Sequence, residues 1–252
     1  MNKGQRVLVL GGGGAGIGRA IVRRLGDAGA SVVVADLEQA RAEEAAAELV
    51  ERGADAWPVW GDVRSANELK TMIGSAVDLL GGLDGLVTVV GGQVAFVPAV
   101  KLHEMADEDW DTVYEVNLRY VSRAVRQVLS IFLDQGEGGV IVSVGSVTGF
   151  MAAPHQAAYG VAKARLLSLA RTVAAEYAPD GVRMNVVAGG AISTGVANTA
   201  SEEWVDEIPV GRYGKSGEIA DAALYLLSDA SAYVTGQQIV VDGGVSVRGP
   251  FA

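Results

Sequence analysis

Tyr159 and Lys163 stand four residues apart, so on a helix their side chains leave the same face and can meet one bound molecule. A phenol titrates near pH 10, and bringing it two to three units closer to neutrality takes about 3–4 kcal/mol in favour of the phenolate. An ammonium about 4 Å away supplies on the order of 4 kcal/mol at an effective dielectric of 20, enough to make a tyrosine a working acid/base. Spacing alone leaves a solvated helix pair as the other reading. Ser146 lies thirteen positions before Tyr159, after the apolar run Gly139 to Val144 that reads as a strand. Its place is the strand's C-terminal end, where open α/β sheets carry their sites, so its hydroxyl can hold a substrate oxygen; a turn serine is the alternative.

A second cluster is Gly11-Gly12-Gly13-Gly14-Ala15-Gly16-Ile17-Gly18, between a short apolar run and an amphipathic segment. Between a first strand and a first helix, such a loop brings free helix N–H groups to a dinucleotide pyrophosphate, and any Cβ would block the approach. Asp36 follows twenty residues beyond Gly16, where a carboxylate accepts both ribose hydroxyls and repels a 2′-phosphate. Leu37 stands where an arginine would favour the 2′-phosphate, and Ala15 adds no positive charge, so NAD is expected over NADP. Taken singly, the glycines are also a flexible turn and Asp36 a turn residue.

The elements that must position these groups alternate. Strands are expected at Arg6 to Leu10, Ser31 to Ala35, Ala54 to Trp60, Leu83 to Val90, Gly139 to Val144, Val182 to Ala188 and Gln237 to Val241. Helices are expected at Ile17 to Leu25, Glu38 to Arg52, Ser65 to Leu80, Asp107 to Leu133, His155 to Tyr177 and Ser216 to Leu227. That pattern predicts an α/β, Rossmann-type, doubly wound parallel sheet of about seven strands with helices on both faces. All 252 residues form one domain in this reading, with 194–209 as a flexible substrate lid.

A formal charge of −10 and a pI near 4.7 oppose binding to nucleic acid or an anionic membrane. The apolar run before the glycines is too short for a signal peptide or a membrane span, which suggests a soluble, cytoplasmic protein. The absence of cysteine excludes thiol catalysis and cysteine-ligated zinc, and His103 and His155 show no ligand spacing, so no metal site is expected.

The glycine loop, the pair Asp62-Val63, the segment Glu115-Val116-Asn117-Leu118 and the set Ser146, Tyr159 and Lys163 occur in this order. Tyr233-Val234-Thr235-Gly236-Gln237 and Val241-Asp242-Gly243-Gly244 close the series. From Arg6 to about Val245 the chain resembles the classical short-chain dehydrogenase/reductase family, with Gly11 in the threonine position of its TGxxxGIG loop. The resemblance implies that Ser146 polarises a carbonyl, Tyr159 exchanges the proton, Lys163 also binds the nicotinamide ribose, and Asn117 positions a water relay. It further implies cofactor contacts at Gly12, Ala15, Gly16, Ile17, Gly18, Asp36, Leu37, Asp62, Val63, Val89, Gly91, Gly190, Ile192 and Thr194. Two segments depart from the family. Thr88-Val89-Val90-Gly91 replaces NNAG, so either other groups supply the missing hydrogen bonds or the pocket is reshaped. Gly189-Gly190 replaces Pro-Gly, for which a looser loop is expected.

The function expected is NAD(H)-dependent hydride transfer between nicotinamide and a secondary alcohol or ketone. Phe96, Phe150, Met151 and Trp204 read either as the lining of an apolar pocket, which suggests a hydrophobic or cyclic, steroid-like substrate, or as ordinary core. A 3-oxoacyl thioester reductase is the alternative within enzymes, and a non-catalytic NAD-binding sensor or scaffold the alternative outside them. The two long helices resemble those through which family members assemble, so a homotetramer or homodimer is expected.

Overall fold

The computed structural model describes residues 4–194 and 202–248. Seven parallel strands form one sheet: Arg6–Leu10 (β1), Ser31–Asp36 (β2), Ala56–Trp60 (β3), Gly85–Thr88 (β4), Gly139–Ser146 (β5), Val182–Gly189 (β6) and, last, Gln238–Val241. Two short strands, Ile192–Ser193 (β7) and Gly214–Lys215 (β8), pair separately, which makes Gln238–Val241 β9. The order in the main sheet is β3-β2-β1-β4-β5-β6-β9. β1 thus sits where the winding reverses, and the C-terminal ends of β1 and β4 flank the crevice in which such sheets bind ligands.

Alternation along each strand explains why the central ones are apolar throughout. In β1, Leu8 and Leu10 enter the core on one sheet face and Val7 and Val9 the core on the other, and all four are fully buried. The first face is covered by Ala66–Leu80 (α3), Tyr120–Gln135 (α5) and Ala157–Tyr177 (α6). The second is covered by Ile17–Asp27 (α1), Gln39–Glu51 (α2) and Ser216–Leu227 (α7). Asp107–Tyr114 (α4) precedes α5 at the edge of the first layer.

Three differences from expectation bear on the site. The helix expected over Asp107 to Leu133 contains a π-helical turn, Glu115–Arg119, in which the Tyr120 N–H reaches the Glu115 carbonyl five residues back. Ser146 is the last residue of β5 and does not follow it, because pairing with β6 continues to Ser146 opposite Gly189. β4 is shorter than expected, since only Gly85 to Thr88 pair with both β1 and β5. Among the described residues no helix is long and apolar enough to cross a membrane. Of the stretch expected as a lid, residues 195–201 lie outside the described residues, as does the side chain of Trp204.

Candidate active site

α1 begins after Gly16 with no side chain capping it and no acidic residue in its first turn, so its N–H groups and positive dipole end are available to an anion. Glycine is required at position 18, where a Cβ would lie 1.9 Å from the Gly11 carbonyl oxygen. Gly14 instead faces open space, with nothing within 4 Å of its Cβ position. That space belongs to a cavity of about 760 Å³. Its wall runs from Gly16, Ile17 and Gly18 past Asp36, Leu37, Asp62 and Val63 to Val89, Gly91 and Tyr159. Thr194 closes over Gly16, its Cβ 3.6 Å from where a Cβ of that glycine would lie. An uncapped helix terminus beside side-chain-free backbone suits a linked diphosphate, so these residues fit a dinucleotide.

Five expected cofactor residues lie off that wall: Lys163 is buried in α6, and packing gives the reason for the other four. Gly12 is buried, with Val34 and Val22 about its Cβ position, so it lets the loop settle on the core. Ala15 is exposed at the loop tip. A Cβ on Gly190 would meet Asp242 at 2.7 Å, and Ile192 packs into the core on the second sheet face. Gly189 remains in β6, paired with Ser146 and Val241, while Gly190 N–H bonds the Val241 carbonyl at 3.0 Å. Sheet hydrogen bonds therefore hold the backbone that a proline would otherwise fix.

The Asp36 carboxylate is oriented by two backbone donors, Gly13 N–H at 3.0 Å and Glu38 N–H at 3.3 Å. Two cations on the same wall, missed in the sequence, are already engaged: Arg41 with Glu38 at 2.9 Å and Arg64 with Asp62 at 2.6 Å. The Arg64 hydrogen bond holds the Asp62 carboxyl below the usual carboxylate range. The spacing of Asp62 and Arg64 was the available signal.

At the other end, Tyr159 sits in the first turn of α6 with its hydroxyl near Ser146, whose Oγ accepts from Thr148 Oγ1 at 3.0 Å and Thr148 N–H at 3.2 Å. Lys163 follows one turn later, buried, its Nζ 5.5 Å from the centre of the Tyr159 ring and donating to the Val144 carbonyl at 2.9 Å. The helical spacing brings the pair together. The electrostatics of the ligand-free pair run opposite to expectation: burial pushes the Tyr159 phenol up, partly offset by Ser146, and pushes the Lys163 ammonium down to about 8. Desolvation is the largest cause for both groups.

Asn117 lies fully buried in the π-helical turn. Its Oδ1 accepts from Gly92 N–H at 2.9 Å, and its Nδ2 donates to Gly92 O at 2.7 Å and Val113 O at 2.8 Å. Gly91 must lack a Cβ for this convergence, since one would lie 2.5 Å from Asn117 Oδ1 and 3.1 Å from Lys163 Nζ. The hydrogen bonds expected of two missing amides are met by Thr88 Oγ1 donating to Ser143 Oγ at 2.9 Å and the Tyr120 hydroxyl donating to Val90 O at 2.8 Å. Tyr120 was unreadable in advance, because only the π-turn decides which way that helix face points.

A family model described as "Enoyl-(Acyl carrier protein) reductase" matches residues 12–246. The chain is 38% identical to "2-(S)-hydroxypropyl-CoM dehydrogenase 3" of Xanthobacter autotrophicus over 250 residues, covering 95% of this chain and 96% of that protein. It is 32% identical to "3beta-hydroxysteroid dehydrogenase 2" of Eggerthella lenta over 246 residues, with 94% of each chain covered. Levodione reductase, a solved structure, superposes with a TM-score of 0.91 at 30% identity, covering 98% of this chain and 100% of that one. The glycine loop under an uncapped helix, the Ser146–Tyr159–Lys163 cluster and these full-length similarities agree: the chain belongs to the short-chain dehydrogenase/reductase family of oxidoreductases.

Proposed function

We propose that this protein is an NAD(H)-dependent dehydrogenase that interconverts a hydrophobic or cyclic secondary alcohol and its ketone. The observation that carries the reading is the Ser146–Tyr159 hydroxyl pair, set beside Lys163 at one end of a cavity whose other end is a helix N-terminus facing Asp36. Bound NAD supplies the hydride acceptor and, when oxidised, a positive charge near the phenol. Ser146 holds the substrate oxygen, and Tyr159 takes the hydroxyl proton in oxidation or returns it in reduction. Lys163 orients the nicotinamide ribose and stabilises the phenolate. Asn117, through its grip on Gly92, keeps the π-turn and the 91–92 backbone in register for a water-borne proton path. Gly12, Ala15, Gly190 and Ile192 support this site from outside the cavity wall.

Val94, Ala95, Phe96 and Val116 give the wall an apolar sector, with Phe96 and Val94 exposed in the ligand-free protein. The names of two similar proteins, a hydroxysteroid dehydrogenase and levodione reductase, agree with a cyclic substrate. The reading is tested by absorbance of reduced nicotinamide with NAD and a panel of hydrophobic secondary alcohols; binding of NADH without turnover of any alcohol would favour a sensor or scaffold.

Two further outcomes are expected. Asp36→Ala removes a carboxylate that accepts hydrogen bonds and repels a 2′-phosphate, so the ratio of kcat/KM for NAD over NADP falls by about 10- to 100-fold, the effect of 1.5–3 kcal/mol. A wild-type preference for NADP would contradict the role of Asp36. We also propose a homotetramer, for which light scattering gives a mass of about four subunits rather than the 26.0 kDa of one.

A further inference from the structure

The turn after β4 carries one polar side chain on the cavity wall among Val94, Ala95 and Phe96. That residue, Gln93, is only 3% exposed. Its Nε2 donates to the His155 carbonyl at 2.8 Å, and its Oε1 is buried without a hydrogen-bond partner. Among the described residues the other buried side-chain atom in that condition is Arg19 Nε, and Arg19 is not on the cavity wall. An unpaired buried acceptor is costly, and here the amide cannot reverse to relieve it: its oxygen would then face the His155 carbonyl oxygen. His155 is the one described non-glycine residue with positive φ, at 66°, so local backbone geometry directs that carbonyl. The spare end of Gln93 is therefore an acceptor.

Its surroundings place it beside the reacting centre. His155 lies four residues before Tyr159, and the residue preceding Gln93, Gly92, has both N–H and C=O held by Asn117. The Gln93 carbonyl accepts from Phe96 N–H at 2.8 Å and Val97 N–H at 2.9 Å, so the turn is internally bonded. Oε1 is closed to water in the ligand-free protein. Reaching it requires a local shift of the turn, which is anchored by Val97 against Val113 and Ala158 but exposes Val94 and Phe96.

We propose that Gln93 is a specificity-determining residue whose Oε1 accepts a hydrogen bond from a donor next to the reacting carbon, selecting α-hydroxy ketones and vicinal diols over analogues with only an acceptor there. The identity of the reacting carbon rests on the hydride-transfer reading above. The test is calorimetric titration of 2-hydroxycyclohexanone and 2-methoxycyclohexanone into protein saturated with tetrahydro-NAD, a cofactor analogue that transfers no hydride. The hydroxy ketone binds about five- to tenfold more tightly to wild type, the worth of one neutral hydrogen bond. In Gln93→Met and Gln93→Leu the ratio falls to about one, with affinity for tetrahydro-NAD unchanged. A wild-type ratio of one, no binding of the hydroxy ketone, or a ratio retained in both variants overturns the proposal. A ratio that behaves as stated in a protein that fails to oxidise cyclohexane-1,2-diol with NAD supports the role of Gln93 and defeats the hydride-transfer reading.

Discussion

Tyr159→Phe is expected to bind NADH as wild type does and to lose about 10²- to 10⁴-fold in turnover, the usual worth of a positioned acid/base. The substitution keeps the ring and its packing and deletes only the hydroxyl beside Ser146. Fluorescence titration of NADH and the absorbance assay for turnover separate the two effects. Because burial raises the phenol in the ligand-free protein, the proton stays on Tyr159 there, and alcohol oxidation by wild type accelerates as pH rises. Full activity in the variant would remove Tyr159 from the mechanism.

Lys163→Met is expected to lose at least about 100-fold in turnover while becoming more stable at pH 7. Burial holds the Lys163 ammonium down to about 8, against the ordinary 10.5 of a solvated lysine. Below pH 8 both states hold the proton, and the folded state bears the whole cost of a desolvated ammonium. Between about 8 and 10.5 the unfolded chain binds more protons, so wild-type stability rises with pH across that window and levels off above it. The depression corresponds to about 3 kcal/mol at most, and losing the hydrogen bond to Val144 offsets about 1 kcal/mol. Thermal unfolding of the ligand-free proteins then shows the variant about 2–6 °C higher at pH 7. The gap closes as pH approaches 10.5, because methionine carries no titration. A lower unfolding midpoint for Lys163→Met at pH 7 would mean that the ammonium is stabilised by its surroundings.

Much of this site was legible before folding because its geometry is local. The four-residue spacing of Tyr159 and Lys163 needs only a helix to bring them together, and the loop from Gly11 to Gly18 needs only a strand before it and a helix after it. Asp36 at the end of β2 follows from the same strand–loop–helix repeat. The exceptions were non-local. The π-turn at Glu115–Arg119 leaves no periodic signature over five residues, yet it decides where Asn117 and Tyr120 point. Gly12 and Ile192 belong to the matching motifs but turn toward the core, and Gly190 turns toward Asp242, a distinction that only the packed neighbours make.

The amino-acid sequence by itself determined the alternating architecture, the glycine loop between β1 and α1 and the helical spacing of Tyr159 and Lys163, because helical and strand periods act over a few residues. Tertiary structure alone decided their electrostatics and the shape of the substrate end. Desolvation depends on what every neighbouring element excludes, so proximity in sequence could not reveal that burial moves Tyr159 and Lys163 in opposite directions. The unpaired oxygen of Gln93 likewise exists only because His155, 62 residues away, consumes the other end of the amide.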